Sequence, residues 1–109
     1  MPDNFAALEK VVARFSEPEV QKSLKGFSRT MMIILTDVKE EYFITIKNGK
    51  EAYLERGNIP TPDILIKTNS NTLAKLVSKS INPAAAYFAR KITIKASMDD
   101  MLKLRKVFG

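Results

Sequence analysis

Residues 82–104 read NPAAAYFARKITIKASMDDMLKL. Asn82-Pro83 opens a short helix through Ala84, Ala85, Ala86, Tyr87 and Phe88, because proline suits a first helical turn. Arg90-Lys91 closes it. Ile92-Thr93-Ile94-Lys95 alternates apolar and polar at the period of a strand, and Ser97 caps a last helix. A small helix with an aromatic tip is thus set between a longer helix and a strand. Its small residues permit close approach, while Tyr87 and Phe88 fill a core or line an apolar pocket.

Upstream, Leu73, Leu76, Val77 and Ile81 form the apolar side of a helix that begins at Ser70 or Asn71. Before it comes a strand, Ile64-Leu65-Ile66, and a loop carrying Pro60 and Pro62. Met31 to Leu35 is continuously apolar, as expected of a central strand covered on both faces. Tyr42 to Lys47 alternates, Asn48-Gly49 is a strong hairpin signal, and Glu51 to Glu55 returns with Ala52 and Leu54 on one face. At the start, Asp3 or Asn4 caps a helix with Phe5, Leu8, Val12 and Phe15 at helical spacing. Ser16 and Glu19 form a capping-box pattern for a second helix bearing Val20, Leu24 and Phe27, with Gly26 as its stop. The order predicts an α+β fold: a five-stranded, mostly antiparallel sheet, a meander plus helix-linked strand, with helices packed on one face. Residues 1–109 read as a single domain.

Composition narrows the chemistry. The chain has no Cys and no His, which excludes disulfides, thiolate nucleophiles, His-based triads and the usual zinc sites. Glu40-Glu41 and Asp99-Asp100 are sequence neighbours, whose side chains diverge on either a strand or a helix, so neither pair makes an acid/base dyad. The four glycines form no phosphate-cradling loop. No cofactor, no metal and no catalysis are expected. The start lacks the charge and cleavage pattern of a secretory signal, and the absence of Cys fits a reducing cytosol, so a cytoplasmic location is expected.

Net charge is +6, and all of the excess lies after residue 60. Residues 1–60 hold nine basic and nine acidic side chains; residues 61–109 hold nine basic and three acidic. Such a half attracts anionic surfaces. The aromatic residues suited to base stacking, Tyr42, Phe43 and Tyr53, lie in the neutral half, which argues against nucleic acid.

Taken in order, these motifs resemble the sterol carrier protein type 2 family of lipid-binding domains. The resemblance rests on Asp63-Ile64-Leu65-Ile66, then Leu73 and Leu76, then Asn82-Pro83 through Phe88, then Lys91-Ile92-Thr93-Ile94, then an apolar terminal helix. It covers roughly residues 27–108. The family usually has glycine before the Asn-Pro helix, before the Lys-apolar strand and after it; Lys79 or Ser80, Arg90 and Ala96 stand there. The resemblance implies an apolar pocket or tunnel between sheet and helices, lined by Leu73, Val77, Ile81, Tyr87, Phe88, Met101, Leu104 and Phe108. Arg90 and Lys91 would meet a lipid head group or a membrane. The implied function is non-enzymatic binding, with or without transfer, of a fatty acyl, isoprenoid or sterol-like ligand, by a monomer or homodimer in transient contact with anionic membrane. The alternative is an interaction or dimerisation module. Six of the eleven residues 98–108 are apolar, more than one core-facing stripe needs.

Overall fold

The computed structural model describes residues 3–108, except for the side chains of Pro83, Ala84, Arg105, Lys106 and Phe108. Helix α1 (Asn4–Ala13) is capped by Asp3, whose carboxylate accepts the Ala6 amide at 3.2 Å. A 3-10 turn, Arg14–Ser16, leads to α2 (Pro18–Ser23). The capping box expected at Ser16 and Glu19 does not form. Ser16 instead donates to the Ala13 carbonyl at 2.7 Å, closing the 3-10 turn, and the N-cap of α2 is Glu17, with no side-chain bond. Gly26 ends the segment at a φ of 77°.

The sheet comprises β1 (Arg29–Leu35), β2 (Glu40–Lys47), β3 (Glu51–Arg56), β4 (Ile64–Thr68) and β5 (Thr93–Lys95), in the order β3-β2-β1-β4-β5. All neighbours are antiparallel except β1 and β4, which run parallel with Met31 opposite Ile64. At the β2–β3 turn, Asn48 and Gly49 take left-handed φ values of 55° and 66°. Glycine is required at 49 for a second reason: a Cβ there would fall 1.9 Å from the Leu24 carbonyl oxygen.

The β1–β4 pairing was not legible as a continuation of the meander. Strand β4 leaves β3 behind and joins the far side of β1. The crossing begins on the sheet's outer face, where Gly57 lies against the Phe43 ring and Asn58 donates to the Glu41 carboxylate. It ends where Asp63 accepts the Thr30 amide at 2.9 Å and the Thr30 hydroxyl at 3.2 Å. Half-buried Ile59 and Pro62 lie along it. Met32, on the face opposite the helices, is also buried.

The inner face, with Met31, Ile33, Leu35, Tyr42, Ile44, Ile46, Ile64 and Ile66, meets the helices in one core. Helices α3 (Ser70–Val77), α4 (Pro83–Phe88) and α5 (Met98–Phe108) complete the layer. The cap of α3 is Asn69, one residue before the predicted start; its side chain accepts the Thr72 amide at 2.7 Å. Ser97 caps α5 as expected, accepting the Asp100 amide at 3.1 Å.

Candidate ligand site

The sequence pointed to α3, α4 and α5. The structure gathers part of that set. Leu73 and Leu104 are 3% and 5% exposed, within the shared core, and Val77 and Ile81 pack against it. Met101 is half-buried. Tyr87 and Phe88 are placed elsewhere: α4 turns Ala86 inward at 0% exposure, which leaves Tyr87 39% and Phe88 82% exposed, their rings edge to face at 5.8 Å. A six-residue helix has one inward position per turn, and here a small residue takes it, so α4 approaches the core closely. Arg90 and Lys91 are exposed beside the aromatic pair. The side chain of Phe108 lies outside the described residues. The wide apolar side of α5 is divided, with Leu104 and Val107 in the core while Met98 (71%) and Leu102 (55%) face outward.

Two helix ends explain how basic residues stand at glycine-like positions. The Ser80 amide donates to the Lys75 carbonyl at 2.8 Å, and Lys79 to Leu76 at 3.2 Å. Likewise Lys91 donates to Ala86 at 2.9 Å and Arg90 to Tyr87 at 3.1 Å. Both are Schellman caps, whose turning residue must be left-handed; Lys79 and Arg90 have φ of 60° and 61°. The left-handed form costs about 1–2 kcal/mol for a residue with a Cβ. A cation at a helix C-terminus returns about 0.3–1 kcal/mol. Ala96, at the third such place, is not left-handed.

An open cleft of about 680 Å³ lies on the other side of the helical layer, between α1 and edge strand β3. Its lining is mixed: Phe5, Val12 and Ala13 from α1 and Ala52 and Leu54 from β3 are apolar, and Glu9, Thr45, Lys47, Tyr53 and Glu55 are polar. Lys47 lies over the Tyr53 ring at 5.6 Å, and the Tyr53 hydroxyl donates to Glu51 at 3.0 Å, a bond that holds the phenol pKa above its ordinary value. One end of α1 is pinned by a polar network. Glu40 accepts from the Tyr42 hydroxyl at 2.6 Å and from Asn4 at 3.3 Å, and Arg56 donates to the same hydroxyl at 3.3 Å. The Tyr42 bond, then the Asn4 bond, hold the Glu40 carboxyl below its usual value; burial pushes Tyr42 up.

The sequence reading missed this cleft. Its signal was present: Phe5 and Val12 widen the α1 stripe beyond Leu8, and small Ala52 faces them from β3.

The paired acids go to separate partners. Glu40 serves Tyr42, Glu41 serves Asn58, and Asp100, 5% exposed, forms an ion pair with Arg29 at 3.0 Å. Among the described residues no three His, Cys, Asp or Glu side chains are grouped to hold a metal, and no helix is long and apolar enough to cross a membrane.

The model of the SCP-2 sterol transfer family matches residues 8–109. No curated protein matches the chain. Among solved structures, palmitated sterol carrier protein 2-like 2 from Aedes aegypti superposes with a TM-score of 0.73 at 16% identity, over 94% of this chain and 90% of that one. Sterol carrier protein 2 from Yarrowia lipolytica, in its apo form, gives 0.63 at 12% identity, over 99% and 93%. The inverting sec-alkylsulfatase Pisa1 from Pseudomonas sp. gives 0.67 at 20% identity, over 82% of this chain; the match spans only 14% of the alkylsulfatase. At these identities the structural likeness speaks for the fold.

Proposed function

The chain belongs to the SCP-2 sterol transfer family, and on that premise we propose that it binds a long-chain fatty acyl or isoprenoid ligand in the cleft between α1 and β3, without chemical change to the ligand. The family is one of lipid-binding and lipid-transfer domains. The observation that carries the finer reading is the cleft of about 680 Å³, with Phe5, Val12, Ala13, Ala52 and Leu54 among its lining residues. That volume lies within the range of small-molecule sites. A fully buried methylene contributes about 0.8 kcal/mol, and one laid in an open cleft contributes part of that. Association and ordering take back several kcal/mol, which leaves a long chain in the micromolar range. Lys47, the one cation among the lining residues, is the group with which a carboxylate head would pair, in a cleft that Glu9 and Glu55 also line. The palmitated state of the Aedes aegypti protein supports an acyl ligand.

Displacement of a fluorescent fatty acid tests the reading. Saturable binding is expected, weakened at least tenfold by Ala13→Trp, which adds bulk at an exposed helix position and fills the cleft. Purely non-saturable partitioning would sink the ligand reading altogether. Saturable binding untouched by Ala13→Trp would move the ligand into the interior lined by Leu73, Val77, Ile81 and Leu104.

The outward stripe of Met98 and Leu102 favours a second reading, a docking or dimer surface on α5. Sedimentation that shifts with concentration, and is reversed by Leu102→Glu, would support it.

A further inference from the structure

Strands β3 and β5 are the two edges of the sheet. Among the described residues, no backbone hydrogen bond reaches Glu51–Arg56 from outside the β2–β3 hairpin, and none reaches Thr93–Lys95 except from β4. Such edges are templates for a further strand. β3 runs in the direction of β1 and β4, whereas β5 runs against β4. Two copies laid side by side in one orientation therefore bring the β5 edge of the first antiparallel to the β3 edge of the second. The two sequences then match. Glu51-Ala52-Tyr53-Leu54-Glu55 lies against Lys91-Ile92-Thr93-Ile94-Lys95 read backwards, so that Glu51 faces Lys95, Tyr53 faces Thr93 and Glu55 faces Lys91. The faces match as well. Ala52 and Leu54 pair with inward Ile46 and Ile44, and Ile94 pairs with inward Ile66, which puts Glu51, Glu55 and Lys95 on the outer face of the sheet. Glu51, Glu55, Lys91 and Lys95 are all exposed, and none is in an ion pair among the described residues.

We propose that the β5 edge of one copy pairs with the β3 edge of another, so that copies of this chain associate head to tail into a continued sheet. Charge selects this pairing over the symmetric ones. Pairing β3 with β3 about Tyr53 sets Glu51 against Glu55, and pairing β5 with β5 about Thr93 sets Lys91 against Lys95. Like charges directly opposite are destabilising, and of the three pairings only the mixed one sets opposite charges together. The neighbouring cations are compatible with it. Lys67, opposite Thr93 on β4, adds to the basic edge. Lys47, across from Glu51 on β2, is turned over the Tyr53 ring. Arg56 and Arg90, the next pair outward, do not extend the ladder: Arg56 is held over the Phe5 and Tyr42 rings, and Arg90 belongs to the cap of α4. The shortness of β5 and a net charge of +6 keep the contact weak. A heterologous contact leaves one edge of each kind at the ends, so growth does not stop at a dimer. The pairing needs no lipid and does not rest on the ligand reading.

Sedimentation velocity of the lipid-free protein should give an average sedimentation coefficient that climbs with concentration and does not level at a dimer. Lys91→Glu with Lys95→Glu should weaken association about tenfold or more, as should Glu51→Lys with Glu55→Lys. The first pair of changes lowers the net charge, so a loss of association there does not come from overall repulsion. The first variant has two acidic edges and the second two basic ones, so their equimolar mixture should associate again. All four positions are exposed, and circular dichroism should show an intact fold. The chain has no Cys, so the register is read by mixing Tyr53→Cys and Thr93→Cys chains, which should oxidise to a dimer faster together than either does alone. A parent that stays monomeric at every soluble concentration would overturn the proposal. So would association that levels at a dimer, survives both charge reversals, fails to return in the mixture or is abolished by Leu102→Glu, and so would cross-linking no faster in the mixture. Fatty-acid displacement is measured on dilute protein, so failure there counts against the ligand reading and failure here against the sheet contact.

Discussion

The guanidinium of Arg14 donates to the Val107 carbonyl at 2.7 Å, across 93 positions of the chain. Its other terminal nitrogen donates to the Val77 carbonyl at 2.9 Å. One side chain thus ties the ends of α3 and α5 to the turn after α1, and its charge lies at the negative end of two helix dipoles.

Arg14→Met should therefore cost about 2–3 kcal/mol in urea unfolding, the usual range for charge-assisted hydrogen bonds lost together. Arg14→Lys should recover less than half of that, because an ammonium does not span two carbonyls as a planar fork does. Equal stability of the Lys variant and the parent would show that the fork is unimportant.

At positions 79 and 90 the usual helix ranking should invert. Glycine is ordinarily poorer than alanine near a helix, but these residues sit at φ near 60°. Lys79→Gly and Arg90→Gly should each be more stable than the matching Ala variant by about 1 kcal/mol. Thermal melts of the four variants decide it, and Ala variants that match or exceed the Gly variants would deny the strain.

Gly49→Ala should be far more damaging than an exposed hairpin change normally is. The added Cβ would meet backbone, not a movable side chain, at the Leu24 carbonyl. A loss of about 3 kcal/mol or more is expected, or failure to fold. A small effect, read by denaturant titration, would mean that α2 and the hairpin separate easily.

Two carboxyls have depressed pKa values: Asp37, mainly through the Ser70 hydroxyl, and Glu40, mainly through the Tyr42 hydroxyl. Each is ionised in the folded chain over a pH range where its unfolded counterpart takes up a proton. Their stabilisation is present above the ordinary carboxylate range and is lost as pH falls through the lowered folded values. Stability should decline below about pH 4.5, and Asp37→Asn with Glu40→Gln should flatten that decline. An unchanged acid limb in the double variant would remove both groups from the account.

Much of the architecture was written locally. The apolar run 31–35, the Asn48-Gly49 turn, the Ser97 cap and the Asn82-Pro83 start all announce themselves within a few residues, because backbone preference and burial act there together. The parallel β1–β4 pairing did not, since it depends on where a proline-bearing loop crosses, and Ile64 pairs equally well with any apolar strand. The site divided along the same line. Leu73, Val77, Ile81 and Leu104 were legible as inward positions. Tyr87 and Phe88 were not legible as outward ones, because α4 is too short for its sequence to show which side faces in and Ala86 takes that side. The α1–β3 cleft arises between segments some forty residues apart and has no single-segment signature.

The crossing from β3 to β4 also sets an order of assembly. Strands β1, β2 and β3 are joined by short turns and can pair as soon as those turns close. Strand β4 gains its partner only after the loop has travelled back along the sheet, and β5 only after β4 is in place. Loop-closure entropy falls due before those contacts repay it. In pulse-labelled hydrogen exchange the amides of Glu40–Arg56 should gain protection first, and those of Thr93–Lys95 last. The growing sheet would then carry an unsatisfied edge along β1 until β4 arrives, and refolding at high protein concentration should lose most material in that interval.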